Sequence, residues 1–377
     1  MFELNEEQRI IRQNIRNFAR KELAPRASHW DRSGEFPWPA MKEMADMGLT
    51  GLYLPPACGG SGADLVTCGI ALEEVARYDH SAAIILCGCN ITGRILTEAS
   101  PEIRDTVLPA IVQGKDIVAF GAAEPEAGSN IRAIRTRADI EGDSYVIRGE
   151  KSMITFAEVA RAFIVLARTE GGKGISCIFV ESDRPGIDIR PLEGFGWKAT
   201  GWGNASFNEV TVPRDHLVGE QNNALAMLKG TVQQQRALTG LVALGTAAQA
   251  LDEAVQYAKV REVFGRPLGK FEAIQFTLAE DYAELQSARL VCYQALSLID
   301  GQAPEASLWA AMANLRGGET AYRIVNDAMD VYGGMGYTTE LPLERALRDI
   351  KATQIANATL KIEIGRGLFG PDFVPYA

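Results

Sequence analysis

Histidine is almost missing from this chain: three residues in 377, His29, His80 and His216. So few, so widely spaced, do not support a His-rich metal centre or a Ser-His-Asp triad. Cysteine is also sparse. The six thiols (Cys58, Cys68, Cys87, Cys89, Cys177 and Cys292) show no metal-site spacing, and the C-x-C of Cys87 and Cys89 is tighter than a zinc knuckle. They read as reduced, mostly core residues of a cytoplasmic protein. No run of about eighteen apolar residues occurs, so no spanning helix is expected. The opening MFELNEEQRIIRQ carries Glu3, Glu6 and Glu7 where a signal peptide needs cations. A basic excess is absent as well: the net charge of −10 argues against a nucleic-acid partner. Gly59-Gly-Ser-Gly62 lacks the Lys-Ser/Thr ending of a phosphate-binding loop and reads as a turn.

What is present is ordinary globular composition, 47% hydrophobic and 23% charged. The length calls for two or three domains. The pattern supports an α+β multidomain chain in three parts: a helical domain over 1–116, a β domain over 117–221 and a helical bundle over 222–377. In the first, LNEEQRIIRQNIRNFARKEL puts Ile10, Ile11, Ile15, Phe18 and Leu23 on one predicted stripe. Asn5 and Gln8 have the spacing of a capping box. A helical pattern resumes after the glycine turn, with a break expected between Tyr78 and Ser81.

From Ile117 the period changes. Short β-type runs (IVAFGAAEP, AIRTRADIE, SYVIRGEK, AFIVLART, ISCIFVES, GIDIRPLE, SFNEVTVP) are parted by Gly, Asp and Pro, which predicts half-buried antiparallel strands in a small sandwich or barrel. From about Asn222 long Ala/Leu-rich helices return, apolar over more than one stripe, as in a four-helix bundle or oligomer core. The stretch RALRDIKATQIANATLKIEIGR, Arg345 to Arg366, reads as one long helix entered through the charged cluster Arg345, Arg348, Asp349 and Lys351.

Three stretches carry chemistry. FGAAEPEAGSN (Phe120–Asn130) leads a strand into a Gly/Ser turn, which presents backbone N–H groups and a hydroxyl to a flavin edge or a phosphate. REVFGRPLG sets Arg261 and Phe264 three apart at a helix end. In DVYGGMGY the Gly333-Gly334 pair permits close backbone approach. Each is weak alone. Together with GEKSMIT, RALTG and ERALRDIK, in this order, they are specific: the chain resembles the acyl-CoA dehydrogenase family over nearly its whole length.

That resemblance implies a flavoprotein oxidoreductase holding FAD at a subunit interface, usually in a homotetramer. It implies cofactor contacts at Phe120, Ala122, Ala123, Ser129, Thr155, Arg261, Phe264, Gly333, Gly334 and Thr359, and substrate contacts at Ser129, Gln233, Arg236 and Ala358. The substrate would be an acyl-CoA or acyl-carrier-protein thioester, and an electron-transfer flavoprotein is a candidate partner. The family removes the α-proton of the thioester with a carboxylate while hydride leaves the β-carbon. Most members supply that Glu from the last long helix, where this chain has Asn357. A minority supply it one residue before the helix Arg, where this chain has Gln235. An amide does not accept a proton near neutral pH. Further departures are Met153 for a Trp against the flavin, and Glu272, Asp330 and Lys361 for Gln residues around the cofactor. If Cys87 or Cys89 were a substitute base, its pKa would have to be lowered; core thiols are the better reading.

Three functions follow. One is thioester α,β-desaturation, or its reverse, with a relocated or solvent base. A second is another step on an acyl-CoA, desulfinase-like, although the helix AAIILCGC lacks the cation such members use. The third is a partner subunit of a hetero-oligomeric dehydrogenase. A flavin monooxygenase on the same fold is a weaker fourth. The small, apolar AAIILCGCN points to a short or branched neutral acyl group.

Overall fold

The computed structural model describes residues 4–169, 174–355 and 357–370; the side chains of Asn357 and Ala358, both expected site residues, lie outside the described set. Helix α1 (Glu6–Phe18) starts as its sequence requires, with a reciprocal Asn5–Gln8 capping box. It runs through a π-helical turn, Ala19–Leu23, into α2 (Ala24–Ser33). Ile15 and Leu23 are buried, but Ile10 is 56% exposed, contrary to the predicted stripe. Five residues from Ile15, it lies about 140° around the helix.

After α3 (Trp38–Asp46) come α4 (Leu65–Ala76), α5 (His80–Leu96) and α6 (Pro101–Val112). The predicted break lies between α4 and α5, where the Asp79 carboxylate accepts from the Ala82 N–H and starts α5. Glu74 of α4 accepts from Arg12 and Arg16, which ties the first helix to this layer.

All seven β-type runs form strands: β1 (Val118–Gly121), β2 (Arg137–Glu141), β3 (Ser144–Ile154), β4 (Ala162–Thr169), β5 (Gly174–Glu181), β6 (Ile187–Pro191) and β7 (Gly203–Pro213). A two-residue β8 (Leu217–Val218) adds to them. They make one eight-stranded sheet, ordered β6-β7-β3-β2-β4-β5-β8 with β1 on β4. Its pairings are antiparallel except β1–β4 and β2–β4. Tyr145, Val146 and Ile147 are all buried rather than alternating, as are Ala162 to Ala167. Strands covered on both faces lose the period-two signal.

After a short α7 (Ala224–Met227), the 32-residue α8 (Lys229–Val260) crosses the molecule against α4, α5, α9 (Glu272–Asp300) and α10 (Ala306–Tyr332). The segment expected as one long helix is instead α11 (Leu343–Lys351), a 3-10 turn (Ala352–Gln354) and α12 (Asn357–Phe369). The Thr353 hydroxyl donates to the Ile350 carbonyl at 2.7 Å and Ile355 N–H to the Ala352 carbonyl at 3.2 Å, and such i→i+3 bonding tightens the chain. Among the described residues no helix is long and apolar enough to cross a membrane, and no cluster of potential metal ligands occurs.

Candidate active site

The sheet, α5 and α8 enclose a cavity of about 260 Å³. Strand β1 and the turn after it supply Phe120, Ala122 and Ala123; the end of β3 supplies Ser152, Met153, Thr155 and Phe156. Helix α5 contributes Ile84, Cys87, Gly88, Ile91 and Thr92; α8 contributes Gln235 and Thr239; Trp197 closes one wall. Gly88 is needed here, because a Cβ at that position would sit 2.4 Å from the Phe156 ring. The sequence-predicted Phe120, Ala122, Ala123, Met153, Thr155 and Gln235 thus meet around one space, although they come from three parts of the chain.

Local structure explains how the β1 turn presents itself. The Ala123 carbonyl accepts from Ser152 N–H at 2.9 Å, and the Ala122 carbonyl from Lys151 Nζ at 3.2 Å. Lys151 is fully buried and also reaches Glu124 at 2.7 Å. Glu124 in turn accepts from Arg135 and Thr136 N–H. Burial pushes the Glu124 pKa up, but the bonds from Lys151 and Thr136 outweigh it and hold the carboxyl below its usual range. Burial lowers the Lys151 pKa, with Glu124 opposing. A register shift in β3 between Lys151 and Ile154 turns Met153 outward at φ 56°, where its N–H donates to Asn204 Oδ1.

None of the described lining residues carries a charge. Ser152, Thr155, Gln235 and Thr239 line the space while their side chains make no hydrogen bond to other described residues. An apolar space edged by unspent amide and hydroxyl groups and by two alanines suits a flat ring system with polar edges, so the residues present fit a flavin. Cys87 does not serve as a base, because burial pushes its thiol up to about 12; Cys89, likewise about 12, is buried and does not line the cavity.

The other expected residues lie outside this lining. Ser129 is exposed. Gln233 bonds the Ser307 hydroxyl. Arg236 is half-buried without an ion pair among the described residues; burial lowers its pKa and Glu363 opposes. Thr359 is half-buried on α12. Arg261, Phe264, Glu272, Asp330, Gly333 and Gly334 are all exposed. Several of them gather at one end of the bundle, where Tyr257 stacks on Tyr332 at 4.2 Å. Lys361 does not balance Glu272 or Asp330: it pairs with Glu319 at 3.6 Å. Trp197, a wall residue, was missed by sequence reasoning. Its only signal was a bulky aromatic between Gly196 and Lys198, in a loop.

A helical layer, a central sheet and a helical bundle thus meet around a cavity whose described lining is uncharged. Family models of the acyl-CoA dehydrogenase N-terminal domain match residues 5–115, of its middle domain 119–210 and of its C-terminal domain 225–366. The chain belongs to the acyl-CoA dehydrogenase family. It is 36% identical to cyclohex-1-ene-1-carbonyl-CoA dehydrogenase of Syntrophus aciditrophicus, over 98% of this chain and 92% of that one. It is 37% identical to the bovine mitochondrial short-chain specific acyl-CoA dehydrogenase, over 96% and 89%. The structure of butyryl-CoA dehydrogenase from Megasphaera elsdenii superposes with a TM-score of 0.92 at 30% identity, covering 98% of this chain and 99% of that one.

Proposed function

We propose that this chain binds FAD and an acyl-CoA thioester in the cavity walled by β1, β3, α5 and α8, and that it lacks a carboxylate base at both usual places. The chain is an FAD-dependent oxidoreductase of the family that acts on CH–CH groups of acyl-CoA donors. One observation carries the finer reading: among the described residues no Asp or Glu lines the cavity, and Gln235 does. Bound FAD supplies the oxidation. What this chain's residues do is bind and orient.

The Ser152, Thr155 and Thr239 hydroxyls, without hydrogen bonds among the described residues, offer donors to polar ring edges or to a thioester carbonyl, and Gln235 holds an amide where a base would stand. Arg236, half-buried and without an ion pair among the described residues, suits the anionic carrier of the acyl group. Ile84, Cys87, Gly88 and Ile91 leave room for a short or branched neutral chain. Proton removal then falls to solvent, or the step differs from simple α,β-desaturation. Exposed Arg261, Phe264, Gly333 and Gly334 fit contacts to a neighbouring subunit's cofactor in a homotetramer, in a chain divided at 116 and 221 and located in the cytoplasm.

A second reading is a non-catalytic partner subunit. It draws on the exposed Glu272 and Asp330, which have no ion pair among the described residues, at the end of the bundle that would meet a pyrophosphate. Anaerobic mixing of the purified chain with a thioester panel, followed by flavin absorbance, separates the two. Bleaching by a short acyl-CoA supports the enzyme. A preparation that stays colourless with added FAD removes that reading.

A further inference from the structure

The charged cluster of α11 has no place in the function above, yet it is fastened to the cavity wall. The Trp197 backbone N–H donates to Asp349 Oδ1 at 2.7 Å, and its indole N–H to the Asp349 carbonyl at 2.9 Å. One residue earlier, Arg348 Nη1 donates to the Phe195 carbonyl at 3.1 Å and to Asp31, while Nη2 holds Asp31 and Nε holds Glu344. Between them Gly196 lies so close that a Cβ would stand 2.5 Å from the Arg348 carbonyl. Trp197 itself sits at φ 52°, a conformation an aromatic residue does not adopt without support. Its ring stacks on buried His80 at 5.9 Å.

We infer that Asp349, with Arg348, is the positioning residue for the Trp197 wall, so that α11 of the helical bundle sets the width of the ligand cavity. The inference rests on that cavity being the FAD and thioester site. A wall residue in a left-handed conformation has few alternative supports. Here the two bonds to Asp349 fix both its backbone and the plane of its ring, and neither reaches the ligand.

The setting of Asp349 gives the role a signature. Its carboxyl is 2% exposed. Asp31 of α2 and Asp79 before α5 face it with negative charge, and His80 of α5, Arg345 and Arg348 of α11, and Arg77 and Glu253 line the same region. Burial, then Asp31 and Asp79, push its pKa up to about 7 against the Trp197 N–H and Arg345; His80 is held neutral, its pKa lowered to about 3 by burial. The clamp therefore changes charge near neutrality while the neighbouring imidazole does not.

The test measures FAD and butyryl-CoA dissociation constants at pH 6 and pH 8.5 for the full chain and three variants. Asp349→Ala is expected to weaken binding about tenfold, the loss of one hydrogen bond to a buried group. Asp349→Asn keeps an acceptor, so its affinity should stay within about threefold of wild type while the wild-type difference between the two pH values disappears. Trp197→Phe keeps the backbone bond and serves if the alanine variant does not fold; it should bind several-fold more weakly. Unchanged affinity in Asp349→Ala or Trp197→Phe, or an Asn variant with the same pH difference as wild type, would overturn the role. A wild-type chain that binds neither ligand would instead remove the cavity reading and this inference with it.

Discussion

Lys151 Nζ and Glu124 Oε1 stand 2.7 Å apart, the lysine fully out of solvent and the glutamate side chain 7% exposed. A lysine so deep is costly unless paired. The same ammonium holds the Ala122 carbonyl, so this ion pair braces the turn that forms the cavity's β edge.

Replacing Lys151 with Met should therefore cost about 3–5 kcal/mol, because Glu124 is left buried without its cation. The double variant Lys151→Met with Glu124→Leu should recover part of that loss. Urea unfolding of the three proteins measures it. A Lys151→Met chain as stable as wild type would contradict the pairing.

Restoring the base is the direct test of the proposed chemistry. Asn357→Glu should raise α,β-dehydrogenation of butyryl-CoA by about 10²-fold or more, the usual worth of a placed general base. Anaerobic flavin bleaching reads it. No gain would mean that the pocket, and not only the base, differs.

Asp349 makes a stability prediction with a definite sign. Its folded pKa of about 7 lies above that of an ordinary carboxyl. The unfolded chain loses this proton first, so the contribution is complete at low pH and is lost as pH rises toward 7. The melting temperature of wild type relative to Asp349→Asn should fall between pH 5 and pH 8. A constant difference would show that Asp349 does not titrate there.

The α5 wall leaves no slack at Gly88. Gly88→Val pushes new carbon into Phe156, and overpacking of this kind costs about 1–3 kcal/mol. Thioester binding should weaken more than stability does, since the cavity narrows. Calorimetric melting and a butyryl-CoA titration compare the two.

Phe264 is 97% exposed, Phe276 61% and Leu290 53%, among several large apolar side chains that the helical bundle leaves uncovered. If these surfaces join subunits, Phe276→Glu should lower the mass seen by light scattering from tetramer to smaller species. A wild-type monomer would contradict the proposed assembly.

The order of elements was legible because periodicity is local: the switch from 3.6 to two and back marked the β domain, and Asn5 with Gln8 marked the first helix start. The family was legible as well, since FGAAEPEAGSN, GEKSMIT and the later motifs keep one order along the chain. Expectations failed where tertiary burial covered both faces of strands expected to be half-buried, as at Tyr145–Ile147, and where the expected long helix breaks into a 3-10 turn at Thr353. The sequence by itself determined which amides stand at Asn357 and Gln235 and which residues can form helix or strand. Only the tertiary structure decided that no charge among the described residues lines the cavity, that Lys151 braces Ala122, and that Trp197 leans on Asp349 from 152 residues away. Such pairings depend on how helices and sheet pack against one another, and a one-dimensional period specifies the face of an element but not what it meets.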